Sequence, residues 1–239
     1  MPDDSWNRFQ PLQLLVALLS QKHEKNHKEV LIEALWPEER PAAGEKNFKT
    51  TLQRLRKSLE PEINPVFGSS YIHLHHNQVF LDETLCRIDS QKFVSLYKEG
   101  EEKEKGGDGP GALDCFLQAL DLYQGDFIPE ERYAPWVEQR REYFKQMFIA
   151  LLTRSARYHE QAGSFKKAVA CLKQVIEADP LREEIYRGLM ALYAGKSQFN
   201  EALRVYETCQ KAFKTGLNSK PDPVTVALYQ GIKERKQKS

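Results

Sequence analysis

The sequence predicts a mainly α protein in two parts: three helices closed by a β-hairpin, then an all-helical repeat. Three observations carry this. Downstream of Leu151 the chain aligns with itself at a shift of 34 residues, with Phe165 on Phe199, Ala168 on Ala202, Leu172 on Tyr206 and Tyr158 on Leu192. In most other segments apolar residues recur at steps of three and four, which gathers them on one helix face. Around residues 70–82 the pattern changes to short runs of aromatic and β-branched residues, the mark of strands.

In chain order, the first helix is expected at Pro11–Ser20, the second at Lys28–Leu35 and the third at Glu45–Leu59. Ser70–His75 and Val79–Asp82 then flank His76-Asn77, a two- or three-residue hairpin turn. Three helices followed by a hairpin is the order of a winged helix-turn-helix with a β-hairpin wing. The hairpin ends near Arg87–Asp89, so a winged-helix domain of 1–88 and an α-helical domain of 89–239 are expected.

In the second part, Glu99 to Pro110 (EGEEKEKGGDGP) is charged and Gly-rich, and reads as a solvated loop. Gly111–Tyr123 is a helix stopped by Gly125, and Trp136–Tyr158 is one long helix. The 34-residue offset is the tetratricopeptide period, in which a small Ala after Phe lets two helices cross closely. Gly163-Ser164 and Ser197-Gln198 fall in the turns, and Pro180 in Ala178-Asp179-Pro180 closes the first repeat. Pro221 and Pro223 open a last helix through Tyr229. The domain is tetratricopeptide-like, which by itself says binding scaffold.

Composition narrows the class. With 41% hydrophobic and 29% charged residues the chain is globular. Its longest fully apolar run, Leu14 to Leu19, falls far short of the ~20 residues that span a membrane. Asp3 and Asp4 stand where a signal peptide would be basic, so a cytoplasmic protein is expected. Cys86, Cys115, Cys171 and Cys209 lie far apart without flanking histidines and read as buried reduced thiols. His73, His75 and His76 lack a carboxylate or cysteine at ligand spacing, so no metal is assigned. Trp36 and Trp136 read as core anchors, and Glu130-Glu131 as a solvated helix start. No cofactor motif, and no nucleophile with a base at a recognisable spacing, argues for an enzyme.

The third helix carries the functional expectation. Phe48, Leu52, Leu55 and Leu59 form its inward stripe. Lys46, Thr50, Gln53 and Lys57 fall opposite, with Lys49 and Arg54 beside them and Arg56 at the margin. From Lys46 to Lys57 there is no acidic residue, whereas the rest of the first ninety residues is net acidic. Gln can pair both polar edge groups of adenine, Arg those of guanine, and Thr can touch a thymine methyl. Lysines neutralise phosphates. The alternative for such a face is a solvated helix whose charges only keep the protein soluble.

Several strings bear a family resemblance. Leu31-Ile32-Glu33-Ala34-Leu35-Trp36-Pro37, Leu52-Gln53-Arg54-Leu55-Arg56-Lys57-Ser58-Leu59 and Gly68-Ser69-Ser70-Tyr71 resemble the OmpR-type winged helix. Ile88-Asp89 with Phe93, Ala119 to Phe127 (ALDLYQGDF), Trp136 before Arg140-Arg141, Asp179 to Glu184 (DPLREE) and Leu189-Met190 resemble the bacterial transcriptional activator domain. In this order the two modules are similar to SARP-type activators (Streptomyces antibiotic regulatory proteins and wider bacterial relatives). The resemblance implies a major-groove helix with contacts from Lys46, Thr50, Gln53, Arg54 and Arg56. It also implies a minor-groove wing with backbone contacts around Ser69, Ser70, Tyr71 and His73. Its implied partners are promoter DNA in direct repeats, a second copy of the chain and the transcription machinery.

The chain departs from the family in two places. About nine residues, rather than a small β-sheet, precede the first helix, which implies either a fragment of a longer protein or a trimmed fold. Ser70 and Ile72 stand where the wing usually carries Gly and a basic residue. A second function class stays open: a protein-interaction scaffold that uses the repeat groove without DNA, as the C-terminal part of a larger signalling protein.

Overall fold

A computed structural model describes residues 10–20, 26–62, 69–82, 84–129 and 135–238. Gly68, the pair Glu130-Glu131, Asp3, Asp4 and the stretch before the first helix lie outside them, as does the side chain of Trp136, so the expectations placed there are not addressed. Backbone packing divides the chain into two compact units. One is Met1–Asp89 with Gly125–Phe144, the other Ser90–Gln124 with Lys145–Ser239. The described chain is mainly α, with one small sheet.

In the first unit, α1 (Gln10–Ser20), α2 (Lys28–Leu35) and α3 (Pro41–Leu59) pack with β2 (Ile72–His75) and β3 (Gln78–Leu81). Leu14, Ala17, Leu31, Trp36, Phe48, Leu52, Leu55, Ile72 and Val79 form one apolar cluster. The inward stripe of α3 is therefore buried as its spacing required, and Trp36 joins the same core. Helix α3 begins four positions before the expected Glu45. Pro41 occupies its first turn, where a missing N–H costs nothing. Gly44 allows the close crossing of α2, since a Cβ there would lie 2.8 Å from Ile32 Cγ2.

The hairpin turns through His76 and Asn77, both at positive φ, as a two-residue turn matched to strand twist requires. Ile72 pairs with Leu81 and His75 with Gln78. A strand absent from the sequence expectation, β1 (Asn26–His27), pairs with β3, giving the order β1-β3-β2. Two polar residues carry no strand signature, so only the pairing partner defines them. Among the described residues, strand β2 is thus an edge of the sheet.

The second unit stacks helical hairpins. They are α4 (Asp89–Lys105) with α5 (Gly109–Leu122), the part of α6 (Pro135–Gln161) from Lys145 on with α7 (Phe165–Ala178), and α8 (Glu183–Gly195) with α9 (Phe199–Leu217). Their turns share one backbone hydrogen bond and one left-handed residue. Asp108, Ser164 and Gln198 donate backbone N–H to the carbonyls of Lys103, His159 and Tyr193 at 2.9, 2.7 and 2.9 Å. The residue before each has positive φ: Gly107, Gly163 and Ser197. Four residues on, Ala112, Ala168 and Ala202 are each 0% exposed. Gly100 and Ala156 are buried small residues on the partner helices, and a Cβ at Gly100 would lie 2.3 Å from Phe116 Cε1. The first hairpin is thus a third copy of the motif, hidden from the 34-residue alignment by the intervening residues 123–144.

The expected loop Glu99–Pro110 is corrected accordingly: α4 runs to Lys105, and only a tight turn follows. Its charges are paired rather than merely solvated. Lys103 bridges Glu99 at 2.8 Å, and Arg154 bridges Glu101 and Glu104 at 2.7 and 3.1 Å. The last helix, α10 (Pro223–Gln237), is capped by Asp222 and continues well past the expected Tyr229. It packs on α8 and α9 with Tyr229 stacked on Tyr206 at 4.1 Å. Cys115, Cys171 and Cys209 are buried and Cys86 half-buried, all of them free thiols. Burial pushes the Cys209 thiol up to about 12, where it is an inert core residue.

Candidate nucleic-acid interface

The outward face of α3 presents Lys46, Lys49, Thr50, Gln53, Arg54 and Lys57 as exposed side chains. Among the described residues, Lys46, Gln53, Arg54 and Lys57 have no side-chain hydrogen bond or ion pair with any other group. Thr50 turns its hydroxyl back onto the Lys46 carbonyl at 3.0 Å. Lys49 is shared with Glu45 at 3.3 Å, and Glu45 also takes Lys28 at 3.0 Å. The Lys28 contact, with help from Lys49, holds the Glu45 carboxyl below its ordinary range. Part of the positive charge at the start of the face is therefore answered locally.

Arg56 is placed differently from the rest. Half-buried, it donates Nε and Nη2 to the Ile72 carbonyl at 3.1 and 2.9 Å. Burial pushes its pKa down, opposed by the charge of Glu60. Ser69 and Ser70 are likewise occupied. The Ser69 hydroxyl donates to Glu60 at 2.6 Å and accepts from the Ile72 amide at 3.2 Å, while the Ser70 amide donates to Glu60 at 2.8 Å. Burial works to raise the Glu60 pKa, but these hydrogen bonds outweigh it, and the carboxyl lies below its ordinary value. His73 faces Asp82 at 3.4 Å, and its ring lies 5.3 Å from that of Phe80. Tyr71 stays exposed beside them.

The residues expected at a DNA interface thus fall into two groups. Lys46, Gln53, Arg54, Lys57 and Tyr71 point outward uncommitted. Lys49, Thr50, Arg56, Ser69, Ser70 and His73 have partners within the protein. Glu45, which holds Lys49, and Glu60, which holds Ser69 and Ser70, were not foreseen. Glu60 follows Arg56 by one helical turn, the spacing at which opposite charges meet, but among the described residues Arg56 bonds Ile72 and Glu60 bonds Ser69 and Ser70, which that spacing does not indicate.

His23-Glu24-Lys25-Asn26-His27 carries the HExxH spacing of zinc peptidases, which needs both histidines on one helix face. His23, Glu24 and Lys25 lie outside the described residues, and Asn26 and His27 form a strand. No group of three metal-ligating side chains stands together among the described residues. No helix of the described residues is long and apolar enough to cross a membrane.

In the segment Gly125–Phe144, Arg141 donates to the carbonyls of Phe127 and Ile128 at 3.3 and 3.0 Å. Arg140 is buried with its guanidinium over the rings of Phe144 and Tyr143, at 4.4 and 4.9 Å. In the second unit, Arg154 lies over Tyr97 and Phe116 and pairs with α4 carboxylates, so its charge is spent on holding helices together.

Residues 88–233 match the bacterial transcriptional activator domain. Over 220 residues, 92% of this chain, the sequence is 30% identical to the regulatory protein AfsR of Streptomyces coelicolor and covers 21% of it. The AfsR of Streptomyces griseus is 27% identical over the same share of this chain, of which 22% is covered. The chain thus spans about a fifth of the length of these curated relatives. The solved structure of Mycobacterium tuberculosis EmbR in complex with a low-affinity phosphopeptide is similar in fold, with a TM-score of 0.70 at 22% identity. The likeness covers 95% of this chain and 60% of that one.

Proposed function

We propose that this chain, which belongs to the bacterial transcriptional activator domain family, is a double-stranded DNA-binding regulator whose α3 enters the major groove. The observation that carries the reading is the uncommitted outward face of α3. Gln53 and Arg54 sit mid-helix with nothing among the described residues to satisfy them, flanked by Lys46 and Lys57 one or two turns away. Base edges offer Gln and Arg bidentate partners, and phosphates offer the lysines counter-charges. The hairpin acts as the wing of a winged helix, with Tyr71 toward the minor groove. Curated relatives that bear the name regulatory protein support the same reading.

In this proposal residues 1–88 bind DNA, while 89–239 mediate dimerisation and regulation, so that two recognition helices read direct-repeat half-sites and meet the transcription machinery. Gel retardation with fragments of the source genome at ~50 mM salt tests it. Retention that weakens steeply with salt, and more weakly salt-dependent retention after Arg54→Ala, are expected. A chain that dimerises or captures a protein but retards no fragment is the scaffold of the second function class.

A further inference from the structure

Arg56 and Glu60 face the same stretch of backbone from the C-terminal turn of α3. Strand β2 is the sheet's edge, and the Tyr71 carbonyl already accepts from Asp82 at 2.9 Å toward β3. Backbone groups alternate sides along a strand, so the Ile72 carbonyl points away from the ladder. Arg56 fills that acceptor with two N–H groups. Glu60, whose own amide closes α3 on the Arg56 carbonyl at 2.8 Å, takes the Ser69 hydroxyl and the Ser70 amide. The cation holds the carbonyl of the first residue of β2 and the anion holds donors on Ser69 and Ser70 just before it. Side chain and backbone are matched in polarity at each point.

We infer that Arg56 and Glu60 are positioning residues of the DNA interface, a two-point clamp that fixes the wing to the recognition helix without touching DNA. The inference rests on the DNA-binding reading above and deepens it. A helix in one groove and a hairpin beside the next act together only if their spacing is set before binding; otherwise the ordering cost is drawn from the affinity. The clamp fastens Ser69, Ser70 and Ile72 to the last turn of α3, so the position of the wing is set by the helix. It also explains why an arginine on a basic helix is half-buried while its neighbours Arg54 and Lys57 are not.

Plain electrostatics and the clamp predict opposite results for Glu60. If Glu60 were only a negative charge near phosphate, Glu60→Gln would tighten binding. As a clamp residue its loss loosens the wing and weakens binding. The test uses fluorescence anisotropy with a labelled duplex selected on the wild-type chain from a random-sequence pool, titrated across salt concentrations. Arg54→Ala is expected to reduce the salt slope by about one. Arg56→Ala and Glu60→Gln are expected to lower affinity roughly tenfold, ~1.4 kcal/mol, with the slope unchanged. Arg56→Lys keeps the charge but not the two-point donor, so it is expected to behave like Arg56→Ala.

Circular dichroism checks that each variant is folded; if Arg56→Ala is not, Arg56→Lys and Glu60→Gln carry the comparison. A reduced slope for Arg56→Ala, wild-type affinity for Arg56→Lys, or tighter binding by Glu60→Gln would each overturn the clamp. No binding by the wild-type chain to any pool member would instead overturn the DNA-binding reading, and the clamp with it.

Discussion

Arg54 and Arg56 stand two residues apart on one helix and have different tasks. Arg54 is exposed and uncommitted, whereas Arg56 is half-buried on a carbonyl sixteen residues downstream. Helical spacing put Arg56 at the margin of the basic face, and no spacing rule could supply its partner, because the Ile72 carbonyl reaches it only through the fold of the hairpin. Glu60 shows the same limit. At this scale acid should act on the hairpin. The Glu60 carboxyl is depressed in the folded chain, so its contribution is present above its unfolded pKa and lost as pH falls through the folded value. With the intrinsic exchange rate divided out, protection of the Ser70 amide is expected to be lost below about pH 4 in the wild type. His159 titrates in a milder range. Burial, with Lys167, pushes its pKa below the ordinary imidazole value. As pH falls below about 6.5 the unfolded chain takes up a proton that the folded chain resists, so stability declines. His159→Tyr, which copies Tyr193 at the equivalent position, is expected to flatten urea-measured stability between about pH 7 and 5. Equal losses in both proteins would show that His159 is not the group responsible.

The three hairpin turns make the elements comparable. Gly163 and Ser197 occupy the same left-handed position, and only the first is a residue without a Cβ penalty. A non-glycine there costs roughly 1–2 kcal/mol, against ~0.5–1 kcal/mol of unfolded-state entropy for glycine. Ser197→Gly is therefore expected to raise stability by up to about 1 kcal/mol, measured by chemical denaturation. At Gly100 the balance reverses. Alanine gains ~1 kcal/mol of helix propensity, but its Cβ would strike the fully buried Phe116 ring, and overpacking costs ~1–3 kcal/mol. Gly100→Ala should destabilise the chain, and an unchanged or higher melting temperature would contradict the packing described. The repeated Ala and aromatic positions made α7 to α9 legible in the sequence. The helix α4 was not, because EGEEKEK has the composition of a solvated loop. Its pairing with Arg154, about fifty residues away, is a tertiary fact. Strand β1 was illegible for the same reason.

For the molecule as a whole, the net charge of +1 gives no general attraction to nucleic acid, so any grip on DNA must come from the local face of α3. The balanced charge elsewhere is consistent with that division, since Arg154 and Arg157 of α6 are spent on α4 carboxylates and Arg141 on backbone carbonyls. Family membership was legible from short strings spread over both halves, and the match over residues 88–233 agrees with the part of that resemblance lying in the helical repeats. The groups that hold α3 and the hairpin together became visible only in three dimensions. The account stands on the uncommitted face of α3, and the most direct test is the salt dependence of binding to genome-derived duplex DNA. With Lys46, Arg54, Lys57 and the shared Lys49 engaging phosphates or bases, log K is expected to fall against log salt with a slope of about −3 to −4 per protomer, and less steeply after Arg54→Ala. No binding at ~50 mM salt, or a slope indistinguishable from zero, would contradict it.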